Sequence, residues 1–418
     1  MTPRLWAACT LGVLLVALIG YAAVTVPWQR PPAPRADQIA ALGELPAEQV
    51  ARAREFHSAL RPGAYGGLAI GLLGALLLGL TPLGSRLVAW AGRPFGDHWI
   101  AQAVLGGLLV VLVAELLTLP FAAWRHTVVV RYGISTQTWG PWAVDVAKSF
   151  AVGAVIGAIA LLGFFTVTRL APRWWWAFGA VGAATLVVLL SFVLPVVVEP
   201  IFNKFTPMAA GPLRTELMDL AARDGVPVGD VLVADASRRT RAVNAYVSGF
   251  GPTRRIVVYD TLLAEAAPAE VVSVAAHELG HAKRHDVLTG TIVGALGAAA
   301  AVIALYLLGS LGWLLRRAGV DAMGEPRAIA LLLALVTLAG LAAGPVQALV
   351  SRRVEARADA HALALTGDPA AFEAMQRRLG SVNLSDPDPP PWEYLMTASH
   401  PSTVERMAAA RAYARGER

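Results

Sequence analysis

The chain has 418 residues, of which 56% are hydrophobic and 15% charged, and its mean hydropathy is +0.56. Soluble domains carry about 25% charged residues, so this composition excludes an ordinary soluble protein. The formal net charge of +6 comes mostly from scattered arginines without an aromatic platform, which argues against nucleic-acid binding. The single cysteine, Cys9, lies in an apolar run, so we expect neither disulfides nor a cysteine-based zinc site.

Seven apolar runs predict membrane spans, because each exceeds the ~20 residues that cross a hydrocarbon core. In chain order they are residues 5–26, 66–90, 99–122, 148–170, 174–198, 287–315 and 328–350. The second run is interrupted by GLTPLGSR. The first could instead be a secretory signal, although it is longer than the about 7–15 apolar residues of a signal core.

Two polar regions remain, residues 199–286 and 351–418. The first contains three short β-branched segments, DVLVAD, AVNAYVSGF and RRIVVYD, which are bounded by Gly, Pro and Asp and predict strands. We therefore predict an all-α polytopic membrane protein with a small α+β domain. The expected division is 1–198 with five spans, 199–286, 287–350 with two spans, and 351–418.

Loop charges predict the orientation of the spans. The first and third loops hold more arginine and lysine than the second and fourth, so they should face the cytoplasm, with the N-terminus outside. The first loop begins with the Pro-led linker PPAPR and continues as an amphipathic helix. Because two spans separate the two polar regions, these regions must share a side in either orientation.

The stretch HELGH, residues 277–281, places His277 and His281 one helical turn apart on the same face, about 6 Å along the axis. Both imidazoles can then reach one zinc ion. Glu278 lies beside them and can take a proton from water and pass it to a leaving amine. The pattern therefore predicts a metal site with hydrolytic chemistry.

His285 continues the histidine series but should not be a ligand. On an unbroken helix it lies about 12 Å from His277 along the axis, too far for one metal ion. No glycine follows the motif to turn the chain there. A third ligand should come from SRRVEARADAHA in the other polar region, where Glu355 and Asp359 share a helix face and His361 points elsewhere. Spacing alone leaves open which carboxylate binds the metal and which orients a histidine.

The chain resembles the Ste24-type CAAX prenyl proteases, integral-membrane zinc metallopeptidases of the M48 family. The residues that carry this resemblance are LPFAAWRHTVVVRYGISTQT, PIFNKFTP, NAYVSGFGPTRRIVVYDTLL, HELGHAKRH, SRRVEARADAHA and SHPSTVERM. The shorter, four-span HtpX-type relatives share the metal motif but lack PIFNKFTP and the long N-terminal half. Arg357 departs from the family pattern, in which an aromatic residue followed by glutamine is common.

The resemblance implies a role for each candidate residue. One zinc ion per chain is held by His277, His281 and Glu355, while Glu278 and Asp359 are catalytic. Asn244, His400 and Arg406 are implied as substrate contacts. The seven spans are expected to enclose a water-filled chamber with the zinc at its cytoplasmic rim, and the intramembrane Glu115 would face that chamber.

These features predict a multi-pass zinc metalloendopeptidase of a bacterial cell membrane, with its active site on the cytoplasmic side. Its partners would be the lipid bilayer and a peptide or protein substrate, either a prenylated Cys-a-a-X terminus or another lipidated or membrane-associated chain. Turnover of damaged membrane proteins, as expected of an HtpX-like protease, is the alternative with the same chemistry. A transporter or channel with an incidental H-E-x-x-H is the alternative from a different class.

Overall fold

The computed structural model describes residues 2–29, 32–249 and 251–417. Pro31 of the predicted linker and Phe250, the last residue of the predicted strand segment AVNAYVSGF, lie outside the described residues. The helices of the N-terminal half are α1 (Pro3–Thr25), α2 (Arg35–Gly43), α3 (Ala47–Gly79), α4 (Pro82–Gly92), α5 (Trp99–Ala101), α6 (Gly107–Arg131), α7 (Trp139–Leu170), α8 (Trp175–Val193) and α9 (Glu199–Phe202).

The C-terminal half alternates short strands with helices before the last two spans. Its strands are β1 (Phe205–Pro207), β2 (Asp230–Ala234), β3 (Ala245–Ser248) and β4 (Arg255–Tyr259). Its helices are α10 (Pro212–Asp224), α11 (Asp260–Glu265), α12 (Pro268–Lys283), α13 (Asp286–Leu308), α14 (Gly312–Ala318), α15 (Ile329–Thr366), α16 (Pro369–Val382), α17 (Pro391–Thr397) and α18 (Thr403–Ala414).

The strands form one four-stranded sheet in the order β1-β2-β4-β3. The β2–β4 pair is parallel and the other two pairs are antiparallel, so β3 is an edge strand. The three predicted strand segments are confirmed as β2, β3 and β4, while β1 in PIFNKFTP was not predicted. One face of the sheet packs with α10, α12 and α16 into a core that includes Leu217, Ile256, Leu279 and Phe372. This core fixes the position of α12, which carries HELGH.

Seven helical segments are long and apolar enough to cross a membrane, which confirms the predicted number within the described residues. Their limits differ from several of the predicted ones, most of all in spans two and seven. The predicted span 66–90 is wrong at both ends, because α3 begins at Ala47 and ends at Gly79, so the amphipathic helix and the span are one helix. Span seven is likewise continuous with the next polar region, because α15 runs from Ile329 to Thr366.

The first and third loops and both polar regions meet on the same side of the spans. Arg61, on α3, pairs with Glu393 in the C-terminal region at 2.8 Å. Ser135, in the third loop, forms an isolated β-bridge with Thr240 in the sheet region. The predicted shared side is therefore confirmed, whereas the chamber and the role of Glu115, which is exposed on α6, stay predictions.

The interruption GLTPLGSR has a packing function at the far end of span seven. Thr81 is the N-cap of α4, where its hydroxyl accepts a hydrogen bond from the backbone N–H of Leu83, and Pro82 opens the helix. The two flanking glycines bring the chain onto α15: a Cβ on Gly79 would lie 2.4 Å from the Cβ of Ala334. A Cβ on Gly84 would lie 2.3 Å from that of Ala330. The break therefore serves a close contact between helices.

We expect Gly84→Ala to destabilise the protein, because the new methyl group would overlap Ala330 and the carbonyl oxygen of Leu78, 2.4 Å away. Overpacking of this kind costs about 1–3 kcal/mol. Gly340→Ala on α15 is the matched control, since its Cβ would meet open space, and it should be neutral or stabilising by about 0.4–1 kcal/mol. Apparent unfolding temperatures in detergent test this, and equal values for both variants would contradict the contact.

Candidate metal centre and active site

The HELGH helix, α12, has clear start and stop signals. Pro268 is at its first position, and the carboxylate of Glu270 accepts a hydrogen bond from the backbone N–H of Ala267 at 2.9 Å. Gly280 allows a close contact with α15, because a Cβ there would lie 3.0 Å from Cδ2 of His361. His361 contacts Asp224 at 3.0 Å, so its ring packs against the back of the motif and lies outside the group of ligand atoms, as predicted.

The helix ends directly after the motif, which differs from the unbroken helix assumed in the sequence analysis. His285 adopts a left-handed backbone conformation with φ of 55°, and α13 begins at the next residue. The chain thus turns without a glycine. His285 itself is exposed and lies outside the group of candidate ligands found among the described residues.

Three side chains from two helices converge on one point. His277 Nε2 lies 3.2 Å from Glu355 Oε2 and 3.2 Å from His281 Nε2. One ligand atom from each of the three residues falls within 4.8 Å of the others. The helix α12 supplies the two histidines, and α15 supplies Glu355 from beyond two membrane spans.

The converging atoms all present lone pairs. A carboxylate without a proton can only accept hydrogen bonds, so the Nδ1 atoms that face Asp359 at 2.8 Å and Asp286 at 2.9 Å must be the donors. In the neutral imidazoles that a metal ion requires, the Nε2 atoms of His277 and His281 are then unprotonated, and they face one another and Glu355. The buried Glu355 Oε2 has no hydrogen-bond partner among the described residues. Such an arrangement is unfavourable unless a metal ion or an added proton lies between these atoms, and the donor set of two imidazoles and one carboxylate fits a metal ion.

Asp359 is held in place by an arginine. Arg406, on α18, contacts both carboxylate oxygens of Asp359, at 2.5 and 3.0 Å, in a bidentate pair. The side chain of Arg406 is only 12% exposed. The arginine therefore orients Asp359 against His277, which is a positioning geometry; the implied substrate contact of Arg406 stays a prediction.

Glu278 lies next to the converging ligands and keeps its carboxylate available. It forms no hydrogen bond with any described residue, and it is half-buried. Burial raises the pKa of Glu278 above the ordinary range of a glutamate, although the nearby His277 and His281 act in the opposite direction. A carboxylate with a raised pKa is better suited to accept a proton near neutral pH and then release it.

His400 reaches the metal centre from the segment between α16 and α18, residues 385–402, which includes the short helix α17. Its Nε2 lies 3.4 Å from Glu355 Oε2, while its side chain remains 58% exposed and so accessible to a substrate. Arg352, one turn before Glu355 on α15, donates from Nη1 to the carbonyl oxygens of Tyr394 and Ala398 at 2.8 and 2.6 Å. Arg352 also stacks on the Tyr394 ring at 4.5 Å. Arg352 thus attaches the segment that carries His400 to α15, the helix that supplies Glu355.

Asn244 is exposed immediately before the edge strand β3. Its Oδ1 accepts a hydrogen bond from the backbone N–H of Ala245 at 2.9 Å, and its carbonyl oxygen accepts one from Tyr259 N at 3.0 Å. The preceding residue, Val243, is fixed through both backbone groups by the side chain of Asn383. The start of β3 is therefore rigid, and the implied substrate contact of Asn244 stays a prediction.

Sequence reasoning did not identify Asp286, Arg352 or Arg357 as contributors to the site. Asp286 is the last residue of the predicted polar region 199–286, and a carboxylate five residues after a histidine ligand is a usable signal once the helix is known to end between them. Arg352 lies about one turn before Glu355 and Arg357 about half a turn after it, but arginines near a membrane span are usually interpreted as interfacial. Their partners could not be read from spacing.

Comparison with known proteins identifies the family. A profile described as "Peptidase family M48" matches residues 207–414. An uncharacterized metalloprotease of Bacillus subtilis, YhfN, is 30% identical over 319 residues, which cover 74% of this chain and 75% of the relative. The chain belongs to the M48 peptidase family. It is a metalloprotease that acts on peptide or protein substrates, so a transporter with an incidental H-E-x-x-H is excluded.

The membrane half belongs to the same group of enzymes. A profile described as "CAAX prenyl protease N-terminal, five membrane helices" matches residues 66–204. A CAAX prenyl protease 1 homolog of rice is 32% identical over 368 residues, covering 80% of this chain and 81% of the relative. The crystal structure of S. mikatae Ste24p superposes with a TM-score of 0.79 at 22% identity, over 98% of this chain and 99% of that one. The Ste24-type resemblance and the integral-membrane fold are therefore confirmed.

We expect Arg352→Gln to lower kcat/KM for peptide cleavage about 100-fold, because a small displacement of a group near the reacting atoms has effects of this size. The bound metal should remain, since Arg352 touches none of the three ligand atoms. Adding Arg352→Gln to His400→Ala should cause no further loss, because Arg352 acts through the position of His400. The matched control is Arg223→Gln, an exposed arginine on α10, which should leave kcat/KM unchanged. Losses of Arg352→Gln and His400→Ala that add fully in the double variant would contradict the anchoring role.

Proposed function

We propose that this M48 protein is a zinc endopeptidase, with one zinc ion bound by His277, His281 and Glu355. The observation that carries the proposal is the convergence of three lone-pair atoms within 4.8 Å, each from a residue type that binds zinc. Two of them are held by carboxylates on the opposite ring nitrogen, the arrangement that orients histidine ligands in zinc proteins. When bound, zinc would polarise the scissile carbonyl and lower the pKa of water at the site toward 7.

Glu278 is the proposed general base and acid. Its free carboxylate takes a proton from the attacking water and later transfers that proton to the leaving amine, so that one group serves both steps. Asp359, held by Arg406, keeps the proton on Nδ1 of His277 and so keeps Nε2 available as a ligand. His400 is proposed to donate a hydrogen bond to the substrate, because its exposed ring already reaches Glu355.

The edge strand β3 is the proposed docking surface for the substrate backbone. An edge strand offers unpaired backbone groups to an extended peptide, which then adds as a further strand. The rigid start of β3, fixed at Val243 by Asn383, gives such a peptide a defined register. Asn244 at that point is proposed to contact the substrate backbone.

The proposed substrate is the C-terminal segment of a prenylated protein, and the proposed location of the site is the cytoplasmic side of the membrane. The first point is supported by the printed names of the relatives from rice and yeast, CAAX prenyl protease 1 homolog and CAAX prenyl protease 1. The second is supported by the richer positive charge of the loops that meet the catalytic region.

We expect Glu278→Gln to reduce peptide cleavage by at least about 10²-fold, because it removes the general base. Zinc content should remain at one ion per chain, since the glutamine touches no ligand atom. His281→Ala should lose both zinc and activity. Glu265→Gln, an exposed glutamate on α11, is the matched control. Zinc analysis and peptide cleavage on the same samples test this, and normal turnover by Glu278→Gln would overturn the mechanism.

A farnesylated Cys-a-a-X peptide should be cleaved at least about tenfold faster, in kcat/KM, than its unprenylated twin. Burial of only two methylene groups of the lipid contributes about 1.6 kcal/mol, which corresponds to roughly that factor. The two peptides have the same scissile bond, so a difference reports lipid recognition alone. Equal rates would argue for general turnover of membrane proteins by the same zinc chemistry.

A further inference from the structure

Asp286 links the metal motif to the rest of the membrane region. It is the first residue of α13, and its Oδ2 accepts a hydrogen bond from Nδ1 of His281 at 2.9 Å. Its other oxygen, Oδ1, pairs with Nη2 of Arg357 on α15. The carboxylate is therefore held between a metal ligand and an arginine from a second helix.

Arg357 also contacts the first span. Its Nη1 donates to the carbonyl oxygen of Thr25, the last residue of α1, at 3.2 Å. The last carbonyl groups of a helix have no partner within the helix, and a cation there is favoured by the helix dipole. A continuous polar chain thus runs from the end of α1 through Arg357 and Asp286 to His281.

The contacts in this chain are mostly shielded from water. The side chains of Arg357, Asp286 and His281 are 19%, 11% and 19% exposed. Charged hydrogen bonds with little solvent access are directional and weakly screened, so they can fix the position of a side chain. The Nε of Arg357 is buried without a hydrogen-bond partner among the described residues, so this side chain is held by its terminal contacts with Asp286 and Thr25.

The two histidine ligands are supported in the same way. Behind His277 lies Asp359, and behind Asp359 lies Arg406. Behind His281 lies Asp286, and behind Asp286 lies Arg357. Each imidazole is therefore oriented by a carboxylate that an arginine holds. The arginine behind His281, Arg357, also contacts span one, whereas Arg406 behind His277 does not.

We propose that span one, acting through Arg357 and Asp286, positions His281 for metal binding. The proposal rests on the zinc site of the proposed function. Arg357 and Asp286 are positioning residues, and the Thr25 carbonyl is the fixed point against which they are held. The end of α1 is thereby a structural part of the metal centre, and a displacement of span one changes the affinity of that centre.

The first test is the zinc affinity of the full-length protein in detergent, measured by competition with a chelator. Loss of an outer partner of a metal ligand weakens affinity about 10–100-fold, so we expect Arg357→Gln to weaken Zn²⁺ binding about 10-fold. An effect of charge alone has the opposite sign, because removal of a nearby positive charge favours a bound cation. Unchanged or tighter binding by Arg357→Gln would overturn the inference.

A second variant moves the Thr25 carbonyl without touching the site. Val26 has an extended backbone that accepts proline, and Val26→Pro would remove the hydrogen bond from Val26 N to Ala22 O and push Thr25 out of the helical region. We expect weaker zinc binding from Val26→Pro in the wild-type background and no further loss in the Arg357→Gln background. Equal losses in both backgrounds would show that the proline acts elsewhere.

Two controls separate failure of this inference from failure of the zinc site. Arg317→Gln on α14 makes the same change of charge at an exposed position beyond the 23-residue helix α13, about 35 Å from the site, and should leave the affinity unchanged. Asp286→Asn should abolish the effect of Arg357→Gln, since the arginine acts through that carboxylate. A wild-type protein that binds no zinc would overturn both proposals, whereas zinc-binding wild type with an unaffected Arg357→Gln would overturn the inference alone.

Discussion

The metal centre depends on three ligand side chains that must be held close together. The Nε2 atoms of His277 and His281 and a carboxylate oxygen of Glu355 direct lone pairs at one another from 3.2 Å. In the neutral form that binds a metal ion, these side chains repel one another when no cation lies between them. They are restrained from behind, because the opposite ring nitrogens are hydrogen-bonded to buried carboxylates. The carboxylates therefore hold the two imidazoles in the orientation that binds a metal ion, at some cost in the stability of the folded protein.

A single helix connects this site to the membrane. Because α15 is continuous from Ile329 to Thr366, with Pro345 inside it, the part that crosses the bilayer and the part that holds Glu355 belong to one helix. Near its start, Ala330 and Ala334 pack against Gly79 and Gly84 with no room for a side chain. Glu355 lies about 37 Å further along. A small tilt of α15 at that contact would displace the ligand, so tight packing far from the metal is a requirement of the site.

Local rules predicted much of this architecture. The number of spans, three of the four strands and the two ligand-bearing segments follow from apolar runs, β-branched clusters and helical spacing. The same rules failed where tertiary contacts decide. The left-handed turn at His285 could not be predicted, because the residue is not a glycine. The limits of α3 depend on packing against the C-terminal region. The arginine-to-carboxylate pairs behind His277 and His281 join residues 47 and 71 positions apart, a distance at which spacing carries no information.

The first span illustrates how such contacts change the interpretation of a sequence. As an apolar run near the start of the chain, it is compatible with a secretory signal. In the structure, α1 packs against α13, the helix that begins with Asp286, and its last carbonyl accepts a hydrogen bond from Arg357. Removal of α1 would leave that arginine, already buried at Nε without a partner, with a second unsatisfied donor. An unpaired buried donor is costly, so α1 satisfies a group of Arg357 that would otherwise lack a partner.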